Sequence, residues 1–211
     1  MGQKPWGQVL PPREEQYELK RRAALEAAAN AFNAHGFYKT SLGDIAAELG
    51  VTKAALYYYF RSKDEILFEC HQLAIEAMTN LPAINENLSG LQKVEAFVRG
   101  YVDMIVQSFG RCLVLTGTQP LEPENAEKCR AGRRKVHDLL VAMIREGVKD
   151  GTIRSQDPRL TANFVFGALN WVAQWHRPDG RDDMKRISDE AIDFVMNGIS
   201  AIADQANGGK K

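Results

Sequence analysis

Gly50 constrains this chain more than any other residue. It separates two short stretches of helical periodicity, 44–49 and 53–59, in the segment DIAAELGVTKAALYYYF. Two helices that close together can only cross steeply. Such a crossing needs a small residue at the contact, a glycine in the turn and apolar residues that lock the angle. Ala46 supplies the contact, and Ile45, Leu49, Val51 and Leu56 supply the lock. Ser41, with Asp44 three residues on, reads as a helix start, and Thr52 reads as the N-cap of the second helix. The segment therefore has the spacing of a helix-turn-helix.

The rest of the chain obeys the same 3.6-residue period, and no stretch alternates as a strand does. Residues 1–12 read as a flexible arm, with Pro12 able to open a helix over 13–35 that Gly36 ends. Ser62 and Glu65 form the pattern of a full capping box, opening a helix that runs on to Pro82. Longer helices are predicted at 89–108, 121–149, 157–176 and 183–205, with Asp157 and Pro158 as N-cap and first-turn proline. Residues 110–120 stay ambiguous, and 177–180 form a turn. The fold class is all-α: an N-terminal three-helix head over 13–61, a helical body over 62–205, and a disordered tail at 206–211.

Composition removes several classes. No apolar run approaches the 18 or so residues of a membrane span, and the first fifteen residues lack the layout of a signal peptide. Cys70, Cys112 and Cys129 are odd in number and lack paired spacing, which suits a reducing cytoplasm. His35, His71, His137 and His176 show no metal-ligand spacing, and no Gly-rich phosphate loop appears. No metal or cofactor is expected, and an enzyme reading finds no convincing set of carboxylate, histidine and nucleophile.

The chain holds 27 basic and 27 acidic residues, which excludes a protein that coats DNA without selectivity. Locally the balance differs: residues 1–64 carry nine basic against seven acidic side chains. A second helix of a helix-turn-helix enters the major groove with its N-terminal residues. Here those are Thr52, Lys53, Ala54, Tyr57 and Tyr58. Tyr57, Tyr58 and Tyr59 span about 200° of helix, so they cannot all point inward. Lys39 and Lys63 stand where a phosphate backbone would run.

Gly36-Phe37-X-Lys39-Thr40-Ser41-X-X-Asp44-Ile45-Ala46, followed by Gly50-Val51-Thr52-Lys53-X-X-Leu56-Tyr57-X-Tyr59-Phe60-X-Ser62-Lys63-X-Glu65, resembles the DNA-binding domain of the TetR family of transcriptional regulators. The resemblance implies a ligand-responsive repressor with a helical ligand-binding and dimerisation body, bound to a palindromic double-stranded DNA operator. It implies DNA contacts at Thr40, Ser41, Thr52, Lys53, Tyr57, Tyr58 and Lys63. Ala54 departs from the glycine common there and bears on how closely that backbone approaches the groove.

The helix at 157–176 is apolar over most of its circumference, so it must be buried on two sides. Together with the final helix it implies a homodimer, as the resemblance does. The segment Gly167-Ala168-X-Asn170-Trp171-X-X-X-Trp175-His176-Arg177 resembles a subgroup that answers to acyl-CoA thioesters. Phe97, Tyr101, Met104, Ile105, Phe109, Leu113, Leu140, Met143 and Phe166 are candidates for an acyl tunnel. Trp171, Trp175, Arg177 and the run Lys128, Arg130, Arg133, Arg134 are candidates for holding CoA. Asn170 must satisfy its amide with a ligand or across the dimer. The tryptophans read equally as core or dimer-interface residues. Another hydrophobic or aromatic inducer, or control by a protein partner, stays open.

Overall fold

The computed structural model describes residues 12–80, 87–177 and 183–201. Among them lie α1 (Arg13–His35), α2 (Leu42–Glu48), α3 (Lys53–Tyr59), α4 (Lys63–Thr79), α5 (Gly90–Val106), α6 (Ser108–Thr116), α7 (Pro123–Lys149), α8 (Pro158–Trp175) and α9 (Met184–Ile199). The arm, the Pro82 stop, most of the turn at 177–180 and the tail lie outside the described residues.

Helix starts follow from local chemistry. The Ser41 hydroxyl accepts from the Asp44 N–H at 3.2 Å, and the Asp44 carboxylate accepts from the Ser41 N–H at 2.8 Å. Asp157 accepts from the N–H groups of Arg159 and Leu160, with Pro158 as the first helical residue. The box expected at Ser62 is only half formed. Ser62 accepts from Glu65, but the Glu65 carboxylate reaches one residue further back and accepts from the Arg61 N–H at 2.6 Å. A full box instead opens α5, between Ser89 and Gln92.

The ambiguous stretch resolves into α6. Gln107 turns extended after α5, and the chain folds back at once. Gly110 permits this: a Cβ there would lie 2.0 Å from the Met104 carbonyl oxygen. The last helix is shorter than predicted. Ser200 leaves it to form an isolated antiparallel bridge with Ile153, and 202–205 lie outside the described residues.

The core is continuous through head and body. The alanine-rich face of α1 buries Ala24, Leu25, Ala28, Ala29, Ala31 and Phe32, and its small side chains let α4 and α6 approach closely. From α4, Ile66, Leu67, Cys70 and Ala74 are buried. Burial of this apolar surface stabilises the fold by roughly 25 cal/mol per Å². Because α4 lies in the core along most of its length, head and body share one packed interior.

Candidate nucleic-acid interface and ligand cavity

Gly50 sits at φ 66°, the left-handed region that favours glycine, and the Val51 N–H closes the turn on the Ala46 carbonyl at 2.9 Å. Ile45, Ala46, Leu56 and Phe60 are buried and fix the crossing of α2 and α3. The Thr52 hydroxyl caps α3 by accepting from the Ala55 N–H at 3.2 Å. Thr52, Lys53, Ala54, Tyr57 and Tyr58 are all exposed on one end and face of α3. The Lys53 ammonium lies 5.8 Å from the Tyr57 ring centroid. Tyr59 is the inward tyrosine: half-buried, its ring centroid 4.9 Å from that of Tyr17 on α1. Tyr58 leans edge-on against both rings and stays 72% exposed.

Two residues expected to meet DNA face inward instead. Thr40 is 2% exposed, and its hydroxyl donates to the Gly36 carbonyl at 2.9 Å, so it closes the loop after α1. The Lys63 ammonium donates to the carbonyls of Phe37 and Thr40, at 2.8 and 2.9 Å, and lies 4.1 Å from the Phe37 ring centroid. Burial holds its pKa below the ordinary lysine value. Its charge is spent on backbone oxygens of the loop between α1 and α2. Ser41 and Lys39 remain exposed, as does Tyr38, which sequence reasoning passed over although it adjoins Lys39.

The body holds a half-open cavity of about 390 Å³. Of the predicted tunnel residues, Tyr101, Met104, Leu113 and Phe166 line it, and so does Asn170. Phe97, Ile105 and Leu140 do not. They are packed solid into the core, with Phe97 stacked behind Tyr101 at 6.0 Å. Met143 is half-buried against the same core, and Phe109 lies under the Arg22 guanidinium, 5.8 Å away, between α6 and α1. The Asn170 amide oxygen finds its partner within the chain, accepting from the Tyr101 phenol at 2.6 Å. Sequence reasoning missed Ala74, Ile75 and Met78 of α4, Val136 and His137 of α7, and Asn163 of α8, which also line the cavity.

The expected CoA-binding residues separate. Lys128 pairs with Glu124 at 2.7 Å, while Arg130 and Arg134 both pair with Glu127, at 3.0 and 2.7 Å, along the outer face of α7. Arg133 alone of these four lines the cavity. Trp171 and Trp175 line a separate groove with Phe194 of α9, and Trp171 and Phe194 are 65% and 70% exposed. Arg177 is exposed beyond the end of α8. Helix geometry accounts for the split, since Trp171 and Trp175, four apart on one face, lie about a third of a turn or more round α8 from Phe166 and Asn170, which face the cavity.

A helix-turn-helix head fused to a helical body that holds a cavity is the architecture of a DNA-binding transcriptional regulator. Residues 24–70 match the model of bacterial regulatory proteins, tetR family, and residues 87–199 match the tetracyclin repressor-like C-terminal domain. The chain belongs to the tetR family.

Relatives extend over nearly the whole chain. It is 32% identical to the TetR family transcriptional regulator PfmR from Thermus thermophilus, with a TM-score of 0.74 over 82% of this chain and 97% of that one. It is 25% identical to AibR, whose structure is a complex with isovaleryl coenzyme A and operator DNA, with a TM-score of 0.74 over 84% of this chain and 98% of that one. The HTH-type transcriptional repressor KstR2 of Mycolicibacterium smegmatis is 26% identical over 211 residues, 91% of this chain and 96% of its own.

Proposed function

We propose that this regulator is a homodimeric cytoplasmic repressor, released from a palindromic operator by an acyl-CoA thioester. One observation carries the reading. The single helix α4 (Lys63–Thr79) fastens the head at one end and walls the cavity at the other. Lys63 holds the loop between α1 and α2, while Ala74, Ile75 and Met78 face the cavity about three turns away. An occupant that prefers a different α4 position shifts the head with it, in proportion to its differential affinity for the two states.

The DNA contacts in this reading are Lys53, Tyr57 and Tyr58 with the exposed backbone at Ala54, supported by Thr52 and Ser41 at helix N-termini. The Trp171 and Phe194 surface, continued by the exposed Leu160 and Phe164, is the dimer interface. An apolar patch of this kind on two adjacent helices marks an interface rather than a solvent face. Two-fold pairing then sets the two reading helices about one turn of DNA apart. The likeness to AibR supports the acyl-CoA class of inducer.

Fluorescence anisotropy with the DNA upstream of the chain's own gene tests this. Specific binding reversed by a short- or medium-chain acyl-CoA, and not by free CoA, is the expected result. Operator binding that no acyl-CoA alters would remove the inducer, and absence of specific binding would remove the reading.

A further inference from the structure

Arg133 carries a charge that meets no carboxylate among the described residues. It lines the cavity, whereas Lys128, Arg130 and Arg134 of the same helix are paired with Glu124 and Glu127 outside. Among the described residues no carboxylate pairs with Arg133. A guanidinium stays protonated at any physiological pH, so the charge cannot be shed.

The titratable groups that feel this charge are themselves neutral. Burial, with Arg133 adding to it, brings the His71 imidazole down to about 4. Burial pushes the Tyr101 phenol up to about 12 and the Cys129 thiol up to about 11, each opposed by Arg133. Near neutral pH none of the three supplies a negative charge. Arg133 is half-buried against a largely apolar wall, and a bound anion would offset the part of its hydration already lost.

Further polar groups share the wall. The His137 ring nitrogen Nε2 and the Asn163 side-chain oxygen are 2.9 Å apart, and Tyr101 is bonded to Asn170. None of these four is a carboxylate, so none offsets the charge of the guanidinium. The volume of about 390 Å³ lies near the lower end for ligand pockets, so one end of a large effector enters rather than the whole.

We infer that the cavity takes an effector whose apolar body carries an anionic oxygen group, a carboxylate or a phosphate, held by the Arg133 guanidinium. This rests on the reading of the cavity as the effector site. It goes beyond that reading in assigning one residue to one kind of charge. The bidentate fork of arginine fits either oxyanion, and such charge-assisted bonds are the strong ones.

Calorimetric titration of the full chain provides the test, with decanol, decanoate, decanoyl-CoA and the ω-carboxylated decanoyl-CoA as probes. In Arg133→Met at least one anionic probe is expected to lose about tenfold or more in affinity, with decanol unchanged. If both thioesters lose affinity together, the phosphate end meets Arg133. If decanoate or the carboxylated thioester alone loses it, a carboxylate does. Arg133→Gln, checked by circular dichroism, repeats the measurement should the methionine variant fail to fold. Anionic probes that bind the variants as tightly as the original chain, or no binding by any of them, overturn the inference. Decanoate held through Arg133 while neither thioester frees the operator would sink the acyl-CoA reading and leave this one standing.

Discussion

Lys63 and Phe37 are joined twice: the ammonium donates to the Phe37 carbonyl at 2.8 Å and lies 4.1 Å from the centre of the same residue's ring. The lysine acts as a stitch between α4 and the loop ahead of α2. Lys63→Met is therefore expected to lower operator affinity and thermal stability together. The slope of log affinity against log salt should stay unchanged, because no phosphate contact is lost. A slope reduced by about one per contact would show that Lys63 touches the backbone of DNA after all.

Lys53 should behave in the opposite way. Lys53→Ala is expected to weaken operator binding and flatten the salt slope by about one per contact, with melting temperature unmoved. Tyr57→Ala should weaken binding as well. Light scattering should report the same assembly mass for both variants. A loss of assembly would mean that α3 serves packing.

Thr40→Val keeps the shape of the side chain and removes the hydroxyl bonded to Gly36. Leaving that carbonyl without its donor should cost about 1 kcal/mol in denaturant unfolding. Operator affinity of the folded protein should change less than twofold.

Trp171→Glu or Phe194→Glu places charge in the groove between α8 and α9. Sedimentation should then show a single chain, and operator affinity should collapse because two half-sites are no longer held together. A variant that still assembles would put the interface elsewhere.

His71 predicts an acid limb in stability. The unfolded imidazole titrates near 6.5, and burial holds the folded one down to about 4. Its contribution is complete above pH 6.5 and is lost as pH falls from there towards 4. The difference corresponds to about 3 kcal/mol. His71→Leu should flatten that limb in thermal melts taken between pH 7 and 4.5. An unaltered limb would assign the acid sensitivity to other groups.

The head was legible because its determinants are local. Ser41 with Asp44, Gly50 and Thr52 act within a few residues of themselves, so their spacing alone specifies α2, the turn and α3. The direction of Thr40 and Lys63 was not legible, since it depends on where the loop after α1 brings the carbonyls of Gly36, Phe37 and Thr40. In the body the period showed helices but not which apolar stripe faces which neighbour. Phe97 and Tyr101 share a stripe of α5, yet only Tyr101 reaches the cavity. Arg133 was hidden in a run of four cations, and the salt bridges that distinguish it are set by Glu124 and Glu127 one and two turns earlier. The break before α6 depends on how closely Gly110 meets Met104, which no window of hydropathy records.

The paired charges on the outer face of α7 bear on how the protein finds its target. Glu124 and Glu127 offset most of the charge of Lys128, Arg130 and Arg134, so this face adds little sequence-independent attraction to phosphates. Weak attraction to unrelated sequence shortens each wrong encounter. Short stops suit a molecule that must sample many wrong sites before its one right one.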